Sequence, residues 1–297
     1  MSKQFLGLDI GGTNLKTALF SAEGMVLAED TRPTLDDGTA GWLERARAAV
    51  HEVLKRGGSE TRIGVAAPGM AARDRRFICN MPGRLPGLEN LDWQQWLGMK
   101  EPVPVYNDAH AALLGEAWIG AARGAQNVVL LTLGTGVGGA ILVEGCILHG
   151  HLGRAGHLGH LSLNPKGAPD IVNTPGSLED ALGEHTVSAR SGGRFTSTRQ
   201  LVEAYRAGSK EAAEVWLNSI QALGAAIAGI INVLDPELIL LGGGIADANE
   251  ALFGPLQAAL DKFEWRPNGA RVHLAKAALG NRAGAAGAAR AAQLATE

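Results

Sequence analysis

Two glycine-rich turns are the first features of the sequence whose composition suggests chemistry. They read LDIGGTN at residues 8–14 and LGTGVGG at residues 133–139, and each follows a short apolar run. Because glycine has no Cβ, backbone N–H groups in such turns can approach an anion closely, and Thr13 and Thr135 add hydroxyl donors. Asp9, where the first run ends, could hold a magnesium ion, often through water. Hairpin geometry alone explains one such turn, but two in matching places predict phosphate binding.

The sequence YNDAHAA places a second candidate carboxylate at Asp108, next to Asn107. A carboxylate within reach of a hydroxyl can orient it and accept its proton, and an amide can donate to and accept from hydroxyls. Asn-Asp is also typical of a helix N-cap, and the residues that follow favour a helix. Both interpretations can hold at once, because a strand-to-helix turn presents its side chains to a cleft.

A third stretch, GHLGHLSLNPKGAPDIVNTPGSLED at residues 156–180, places His157 and His160 three residues apart and contains no thiol. With His149 and His151 it brings four histidines into twelve residues. A metal site needs ligands that converge tetrahedrally, and the interspersed glycines do not favour a preformed cage. We therefore expect no metal cluster here, and we interpret His149 and His151 as ordinary polar residues.

The pattern of apolar residues around these motifs predicts α/β architecture. A strand, a Gly-Gly turn and a second strand open the chain, and the same arrangement returns near residue 125. Helical spacing predicts helices over 42–56, before residue 234 and at the alanine-rich C-terminus. We expect an N-terminal domain over 1–117, joined by the C-terminal helix 283–297, and a C-terminal domain over 118–282.

Composition narrows the class of protein. The 297 residues carry 27 Lys and Arg against 30 Asp and Glu, a net charge of −3 with no basic block, which argues against a nucleic-acid partner. Two cysteines, Cys79 and Cys146, are too few for a disulfide framework or a thiolate zinc site. No signal peptide and no apolar run of about 20 residues is evident, so we expect a cytoplasmic protein without a membrane partner.

Eight short motifs in order carry a family resemblance. They are DIGGTN, APG (67–69), NMPG (80–83), NDA (107–109), LGTGVGG, AGHLGH (155–160), GSLE (176–179) and PELILLGGG (236–244). Together they resemble the ROK family of sugar kinases and repressors, in the actin/hexokinase-like ATPase superfamily, from about residue 5 to 290. The resemblance implies two ribonuclease-H-like domains with an interdomain cleft, ATP and Mg²⁺ as cofactors, a sugar or sugar-like alcohol as substrate, and a homodimer.

The resemblance also implies roles for individual residues. Asp108 matches the catalytic general base. The substrate-binding positions are Asn80, Gly83, Asn107, His157, His160 and Glu179. The ATP- and phosphate-binding positions are Asp9, Gly11, Gly12, Thr13, Asn14, Gly134, Thr135, Gly136, Gly138, Gly242, Gly243 and Gly244, with Asp9 a candidate for outer-sphere contact with Mg²⁺.

The sequence departs from the family pattern at its zinc loop. The family has Glu-x-Gly-His followed by Cys-x-Cys-Gly-x-x-Gly-Cys-Leu-Glu, where the histidine and three cysteines hold a structural zinc. Here Asp170, Val172 and Ser177 stand at the cysteine positions, which leaves at most His160 and Asp170 as ligands. We therefore predict that the zinc is absent and that other packing, with prolines of this stretch and Leu178 as candidates, holds His160 and Glu179.

The second departure concerns the substrate. His157 stands where the family has a glutamate, and a neutral imidazole offers one donor and one acceptor in place of a charged acceptor pair. We expect intact catalysis with a preference other than plain glucose. The alternatives are a sugar modified near C1–C3, an N-acetylated sugar or a cyclitol.

Two other functions fit the sequence less well. A non-catalytic sugar-binding pseudokinase is disfavoured by the intact Asp9, Asp108 and glycine turns. Repressors of the family carry a helix-turn-helix domain before the first phosphate motif, and the sequence given leaves no room for one.

Overall fold

The computed structural model describes residues 3–58, 60–81 and 83–296. The chain divides into two compact units. Unit 1 comprises Met1–Ala125, Cys146–Ala155 and Ala277–Glu297, and unit 2 comprises Gln126–Gly145 and Gly156–Lys276. The sequence-based division at 117/118 and 282/283 stays a prediction. Pro82 of the NMPG motif and Glu297 of the expected C-terminal helix lie outside the described residues.

Twelve strands and nine α-helices occur in the described part of the chain. The strands are β1 Gln4–Ile10, β2 Asn14–Ser21, β3 Val26–Pro33, β4 Arg62–Ala67, β5 Met70–Ala71, β6 Ile78–Asn80, β7 Val105–Asn107, β8 Val128–Leu133, β9 Val137–Val143, β10 Cys146–Ile147, β11 Leu238–Gly242 and β12 His273–Lys276. The helices are α1 Gly41–Leu54, α2 Trp93–Leu97, α3 Asp108–Ile119, α4 Leu178–Leu182, α5 Val187–Arg190, α6 Thr198–Arg206, α7 Lys210–Leu234, α8 Glu250–Phe263 and α9 Ala283–Leu294.

Unit 1 is built on a five-stranded sheet in the order β3-β2-β1-β4-β7. The hairpin β1–β2 turns at Gly11 and Gly12 as predicted, and β4 and β7 run parallel to β1. The carboxyl ends of parallel strands meet at one edge of a sheet, which is where α/β folds bind ligands. Asp9 near the end of β1 and Asn107 at the end of β7 therefore reach the same edge.

Unit 2 repeats this plan, which confirms the internal repeat expected from the sequence. The hairpin β8–β9 turns at Gly134–Gly136, and four strands follow the order β9-β8-β11-β12 with β8, β11 and β12 parallel. The long helix α7 covers this sheet with buried Trp216, Ile220 and Leu223 at the predicted helical spacing. Its length and apolarity would also suit a membrane span, the one such helix in the described residues, but half of its most apolar window is buried within the unit.

Helix α9 packs against the sheet and α3 of unit 1 at unusually short range because glycines lie at the contacts. A Cβ on Gly7 of β1 would lie 1.8 Å from the carbonyl oxygen of Ala285, and one on Gly64 of β4 would lie 2.0 Å from that of Ala288. On its other side, a Cβ on Gly287 would lie 1.6 Å from the carbonyl oxygen of Ala111 in α3. Nearly the whole helix is alanine and glycine, so its backbone lies directly on the sheet and on α3.

The helix that the sequence predicts in unit 1 is also confirmed. The helix expected over 42–56 is α1, whose Ala46, Val50 and Val53 are buried. The pair Trp93 and Trp96 belongs to the short helix α2, with Trp93 fully buried in the core. The guanidinium of Arg47 lies 4.3 Å from the ring centre of Trp96, so this ring is covered by a protein side chain.

Replacing Gly287 by alanine tests the close packing of α9. Alanine favours a helix by about 1 kcal/mol over glycine, yet here the new methyl group meets backbone that cannot rotate away, and overpacking of this kind costs about 1–3 kcal/mol or more. We expect Gly287→Ala to lower the urea midpoint of unfolding. Gly229→Ala in α7 is the matched control, since nothing lies within 4 Å of its Cβ position, and it should raise the midpoint. Equal effects of the two substitutions would contradict the packing described.

Candidate active site

Asp9 is a buried carboxylate at the edge of the sheet in unit 1. Its Oδ2 lies 3.8 Å from Nζ of Lys16, the residue directly opposite it in the hairpin. A Cβ on Gly284, in the first turn of α9, would lie 2.6 Å from the Asp9 Cγ, so glycine leaves room for the carboxylate there. Burial raises the pKa of Asp9 to about 6, with Lys16 lowering it and Asp108 raising it further.

A buried carboxylate whose charge is incompletely balanced is a suitable oxygen donor for a divalent cation. Magnesium prefers such oxygens and usually retains several of its own waters. The environment of Asp9 therefore fits the Mg²⁺ that the sequence resemblance implies. Lys16, which shares this environment, is not among the residues that sequence reasoning selected, because a lysine in a strand has no distinctive pattern.

The glycine turn beside Asp9 is held by Thr34 and covered by Arg84. The buried Thr34 donates from its hydroxyl to the Gly11 carbonyl at 2.6 Å and from its N–H to the Thr13 carbonyl at 2.8 Å. A Cβ on Gly12 would lie 1.8 Å from Nη2 of Arg84, so the guanidinium rests on the turn itself. Nε of Arg84 lies 3.5 Å from a carboxylate oxygen of Asp36. The arrangement places a cation over a turn suited to phosphate. In the sequence, Arg84 is only an arginine that follows NMPG, with no pattern that indicates this contact.

Asn107 and Asp108 form the junction between β7 and α3. Asn107 is the helix N-cap, and its Oδ1 accepts from the N–H groups of Ala109 at 2.9 Å and His110 at 3.3 Å. Its Nδ2 donates to the Gly69 carbonyl at 2.9 Å, so the amide already has structural partners on both sides. The carboxylate of Asp108 is on an exposed residue, accepts from the Ala109 N–H at 2.9 Å, and lies where the helix dipole favours negative charge.

The APG and NMPG motifs meet beside this junction. Gly69 has a φ of +95°, and a Cβ there would lie 2.5 Å from the Asn80 carbonyl oxygen, so only glycine allows the approach. Asn80 itself is exposed, and Gly83 has a φ of +81° with open space around its Cβ position. Three motifs separated in sequence are thus brought together in unit 1.

In unit 2, Glu179 lies against the second glycine turn. Its Oε2 accepts from the Val137 N–H at 3.0 Å, and a Cβ on Gly136 would lie 2.1 Å from the same oxygen. The hydroxyl of Ser177 caps α4 by accepting from the Asp180 N–H at 3.3 Å, which fixes the turn of helix that carries Glu179. Gly136 is therefore required for the carboxylate to reach the turn.

His185 and Asp180 brace the same turn, and sequence reasoning missed both. One ring nitrogen of His185 lies 2.7 Å from the Thr135 carbonyl oxygen and the other lies 3.1 Å from a carboxylate oxygen of Asp180. The N–H groups of Glu184 and His185 donate to the carbonyls of Gly134 and Thr135 at 3.0 and 3.1 Å. The carbonyls of Gly134 and Thr135 therefore point toward the 184–185 segment. The shape of this turn thus depends on residues about 50 positions further along the chain.

A cavity of about 560 Å³ in unit 2 adjoins this turn. Its lining includes the predicted Gly134, Thr135 and Gly244, together with the unpredicted Thr198, Arg206 and Asp247. Gly243 has a φ of +84°, and a Cβ there would lie 2.3 Å from the Leu133 carbonyl oxygen, so glycine is needed where β11 passes β8. The volume lies within the range of small-molecule sites and would hold a nucleoside.

His157 and His160 lie in unit 2, around a short 3₁₀ turn over Leu158–His160. A Cβ on Gly159 between them would lie 2.0 Å from the Val137 carbonyl oxygen, so the segment packs tightly on β9. Both histidines are half-buried. Val137 of β9 thus contacts both the turn between His157 and His160 and the carboxylate of Glu179. The predicted acceptor residues of unit 2 therefore lie beside the same strand.

The other two histidines belong to unit 1. The His149 ring packs 5.3 Å from Tyr106 and 5.5 Å from His110, and burial, with Arg75 nearby, lowers its pKa. His151 is exposed. Among the described residues no group of three or more His, Cys, Asp or Glu side chains is placed to hold a metal ion.

The donor set of the 161–178 loop does not fit a structural zinc. His160 Nδ1 lies 2.8 Å from Asp170 Oδ2, so the two surviving candidate ligands are hydrogen-bonded to each other. Burial alone would raise the pKa of the Asp170 carboxyl, but hydrogen bonds from His160, Thr174, Val172 and Ser177 together hold it below its usual value. Valine at a former ligand position offers no donor atom. Absence of zinc from the protein stays a prediction.

The chain is similar to known proteins over most of its length. The profile of the ROK family matches residues 5–295. A glucokinase from Thermotoga maritima is 32% identical over 275 residues, covering 86% of each chain. An N-acetyl-D-glucosamine kinase from Pectobacterium atrosepticum is 29% identical, covering 83% of this chain and 85% of that protein.

Solved structures show the same similarity. A ROK hexokinase from Thermus thermophilus superimposes with a TM-score of 0.84 at 29% identity and 99% coverage of both chains. A ROK family glucokinase from Streptomyces griseus, solved with glucose and AMPPNP, superimposes with a TM-score of 0.79 at 26% identity, covering 98% of this chain and 99% of that one.

The chain belongs to the ROK family and has the actin/hexokinase-like ATPase fold. Its class is that of an ATP-dependent carbohydrate kinase. The prediction of fold and enzyme class from the sequence is thereby confirmed.

The pKa of Asp9 generates a pH-dependent prediction for the nucleotide-free protein. The folded pKa of about 6 lies above the ordinary 3.8, so this group stabilises the fold fully below pH 3.8 and loses that contribution as pH rises through 6. The loss amounts to about 3 kcal/mol. Asp9→Asn should therefore be more stable than the wild type at pH 8 and show little difference at pH 4. Thermal unfolding across this pH range, without Mg²⁺ or nucleotide, measures the effect.

The exposed Asp74→Asn serves as the control, and its stability difference from the wild type should not change with pH in this way. A difference for Asp9→Asn that is constant between pH 4 and 8 would contradict the burial of this charge.

Proposed function

We propose that this kinase transfers the γ-phosphate of ATP to a hydroxyl of a hexose or hexose-like substrate, with Asp108 as general base. The observation that carries the proposal is the position of the Asp108 carboxylate. It lies at the N-terminus of α3, close enough to Asp9 to raise the pKa of the Asp9 carboxyl. The substrate oxygen forms a bond to the γ-phosphorus, the bond to the β-phosphate oxygen breaks, and the hydroxyl proton passes to Asp108.

The other side chains supply positioning and charge. The turns at Gly11–Asn14 and Gly134–Gly138 would contact phosphates through their N–H groups, with Arg84 adding positive charge over the first turn. The cavity beside Gly134 and Gly244 would receive the nucleoside. Asp9 would hold Mg²⁺ through water, and the bound ion would supply positive charge that stabilises the phosphate groups during transfer.

The substrate in this proposal is a hexose other than plain glucose. Support comes from His157, which cannot accept from two neighbouring hydroxyls at once as a carboxylate does. The second candidate substrates are an N-acetylated sugar, favoured by the similarity to an N-acetyl-D-glucosamine kinase, and a cyclitol.

A coupled assay of ADP release over an acceptor panel tests the proposal. The panel contains glucose, hexoses modified at C1–C3, N-acetylated hexosamines and inositols. We expect kcat/KM for one modified acceptor to exceed that for glucose by about 10-fold or more, the size expected when polar groups are mismatched. His157→Glu should shift the preference toward glucose. A clear preference of the wild type for glucose would contradict the substrate proposal, and no ADP release with any acceptor would contradict the proposed function.

Two variants in the same assay test the role of Asp108. General-base catalysis contributes about 10²–10⁴-fold, so Asp108→Asn should lose at least about 100-fold in kcat while still binding ATP. Asp74→Asn is again the control and should retain wild-type turnover. An Asp108→Asn variant with near wild-type kcat would show that another group accepts the proton.

The resemblance also supports a cytoplasmic homodimer as part of the proposal. Sedimentation equilibrium should then give twice the chain mass of 30.9 kDa at micromolar concentration. A mass of one chain under these conditions would exclude the dimer.

A further inference from the structure

The 161–178 loop, which joins His160 to Glu179, is ordered by hydrogen bonds in place of regular secondary structure. Its two ends are tied together, since the Leu178 N–H donates to the Leu161 carbonyl and the Leu163 N–H donates to the Gly176 carbonyl, both at 2.9 Å. The Ser162 hydroxyl adds a bond to the Pro175 carbonyl at 2.6 Å. Leu178 is fully buried, as expected, but packing of Leu178 and the prolines is only part of what orders the loop.

Asp170 is the centre of this loop. Its side chain is 0% exposed, and its Oδ1 accepts from the N–H groups of Val172 at 2.9 Å and Thr174 at 2.8 Å. Its backbone N–H donates to the Thr174 carbonyl at 2.9 Å, which closes a tight turn around the carboxylate. A buried carboxylate is tolerated only where its oxygens are hydrogen-bonded in this way.

The remaining oxygen of Asp170 determines the protonation pattern of His160. Oδ2 lies 2.8 Å from Nδ1, and a carboxylate oxygen can only accept, so Nδ1 carries the hydrogen. In a neutral imidazole the other nitrogen, Nε2, is then the acceptor. About a quarter of the His160 side chain (26%) is exposed.

We propose that Asp170 is a positioning residue for the acceptor substrate. It fixes the 161–178 loop and holds His160 in the Nδ1–H tautomer, so that Nε2 accepts a hydrogen bond from a hydroxyl of the bound sugar. The contact with sugar rests on the proposed function. The order that a metal ion would give to such a loop is supplied here by one carboxylate and four groups bonded to it: the His160 ring, the N–H groups of Val172 and Thr174, and the Ser177 side chain.

Asp170→Asn tests this proposal with almost no change in shape. The amide oxygen can still accept from Val172 and Thr174, but Nδ2 now donates toward His160 Nδ1. His160 must then switch to the Nε2–H tautomer, which turns its acceptor into a donor. ¹⁵N-histidine NMR of the nucleotide-free protein, with the signal assigned by His160→Gln, reports the tautomer directly and independently of any substrate.

Kinetics report the effect on the acceptor. We expect KM for the preferred acceptor to rise by about 10-fold or more, as for loss of a hydrogen bond in a polar site, with KM for ATP changed by less than about twofold. Ile171→Ala is the matched control, since its side chain is 87% exposed in the same loop, and it should change neither the tautomer nor KM.

Each outcome decides the proposal. An unchanged tautomer in Asp170→Asn overturns it, and so does a switched tautomer with an unchanged KM for the acceptor. An equal rise in both KM values would indicate general loosening of unit 2 and also overturn it. If the wild type phosphorylates no sugar, the proposed function and the acceptor contact both fail, while the NMR signal still decides whether Asp170 fixes the His160 tautomer.

Discussion

The packing of helix α9 at backbone distance is the constraint on which unit 1 depends. Gly7, Gly64 and Gly287 have no Cβ at the closest approaches between the helix and its neighbours, so the helix cannot be displaced without losing contact with β1, β4 and α3 together. The same packing brings Gly284 against the Asp9 carboxylate. The burial of Asp9, and with it the unusual pKa, therefore follows from how closely an alanine-rich helix can approach a sheet. Stability and the electrostatics of the site are set by a single interface.

In unit 2, glycines also allow close approaches, but at single positions and not along a whole helix. Gly136 admits the Glu179 carboxylate, Gly159 admits the β9 backbone, and Gly243 admits the end of β8. In each case a carbonyl or carboxylate oxygen occupies the space that the Cβ of any other residue would fill. The predicted acceptor residues are thus held by backbone geometry, whereas the many glycines in this region suggest a flexible loop.

How much of this structure the sequence predicts depends on how far apart in the chain the interacting residues lie. The hairpins at Gly11–Gly12 and Gly134–Gly136 and the helical spacing of α7 are local patterns, so they could be predicted, and the motif order identified the family. Arg84 and His185 could not be predicted, because their contacts with Gly12 and Thr135 join residues far apart in the chain and leave no periodic signal. From the sequence alone, Asp170 is identified only as a substitution at a ligand position of the family. Its role depends on two backbone N–H groups whose direction the sequence does not reveal.

The chemistry of the 161–178 loop has a consequence for the conditions under which it keeps its shape. It contains no cysteine, and its internal bonds are made by a carboxylate, a hydroxyl, an imidazole and backbone groups. Oxidants that convert thiols to sulfenic acids or disulfides therefore find nothing to modify within it. The hydrogen bonds described for this loop require neither a thiol nor a metal ion, the two components that oxidative stress and metal starvation remove from a thiolate-bound site.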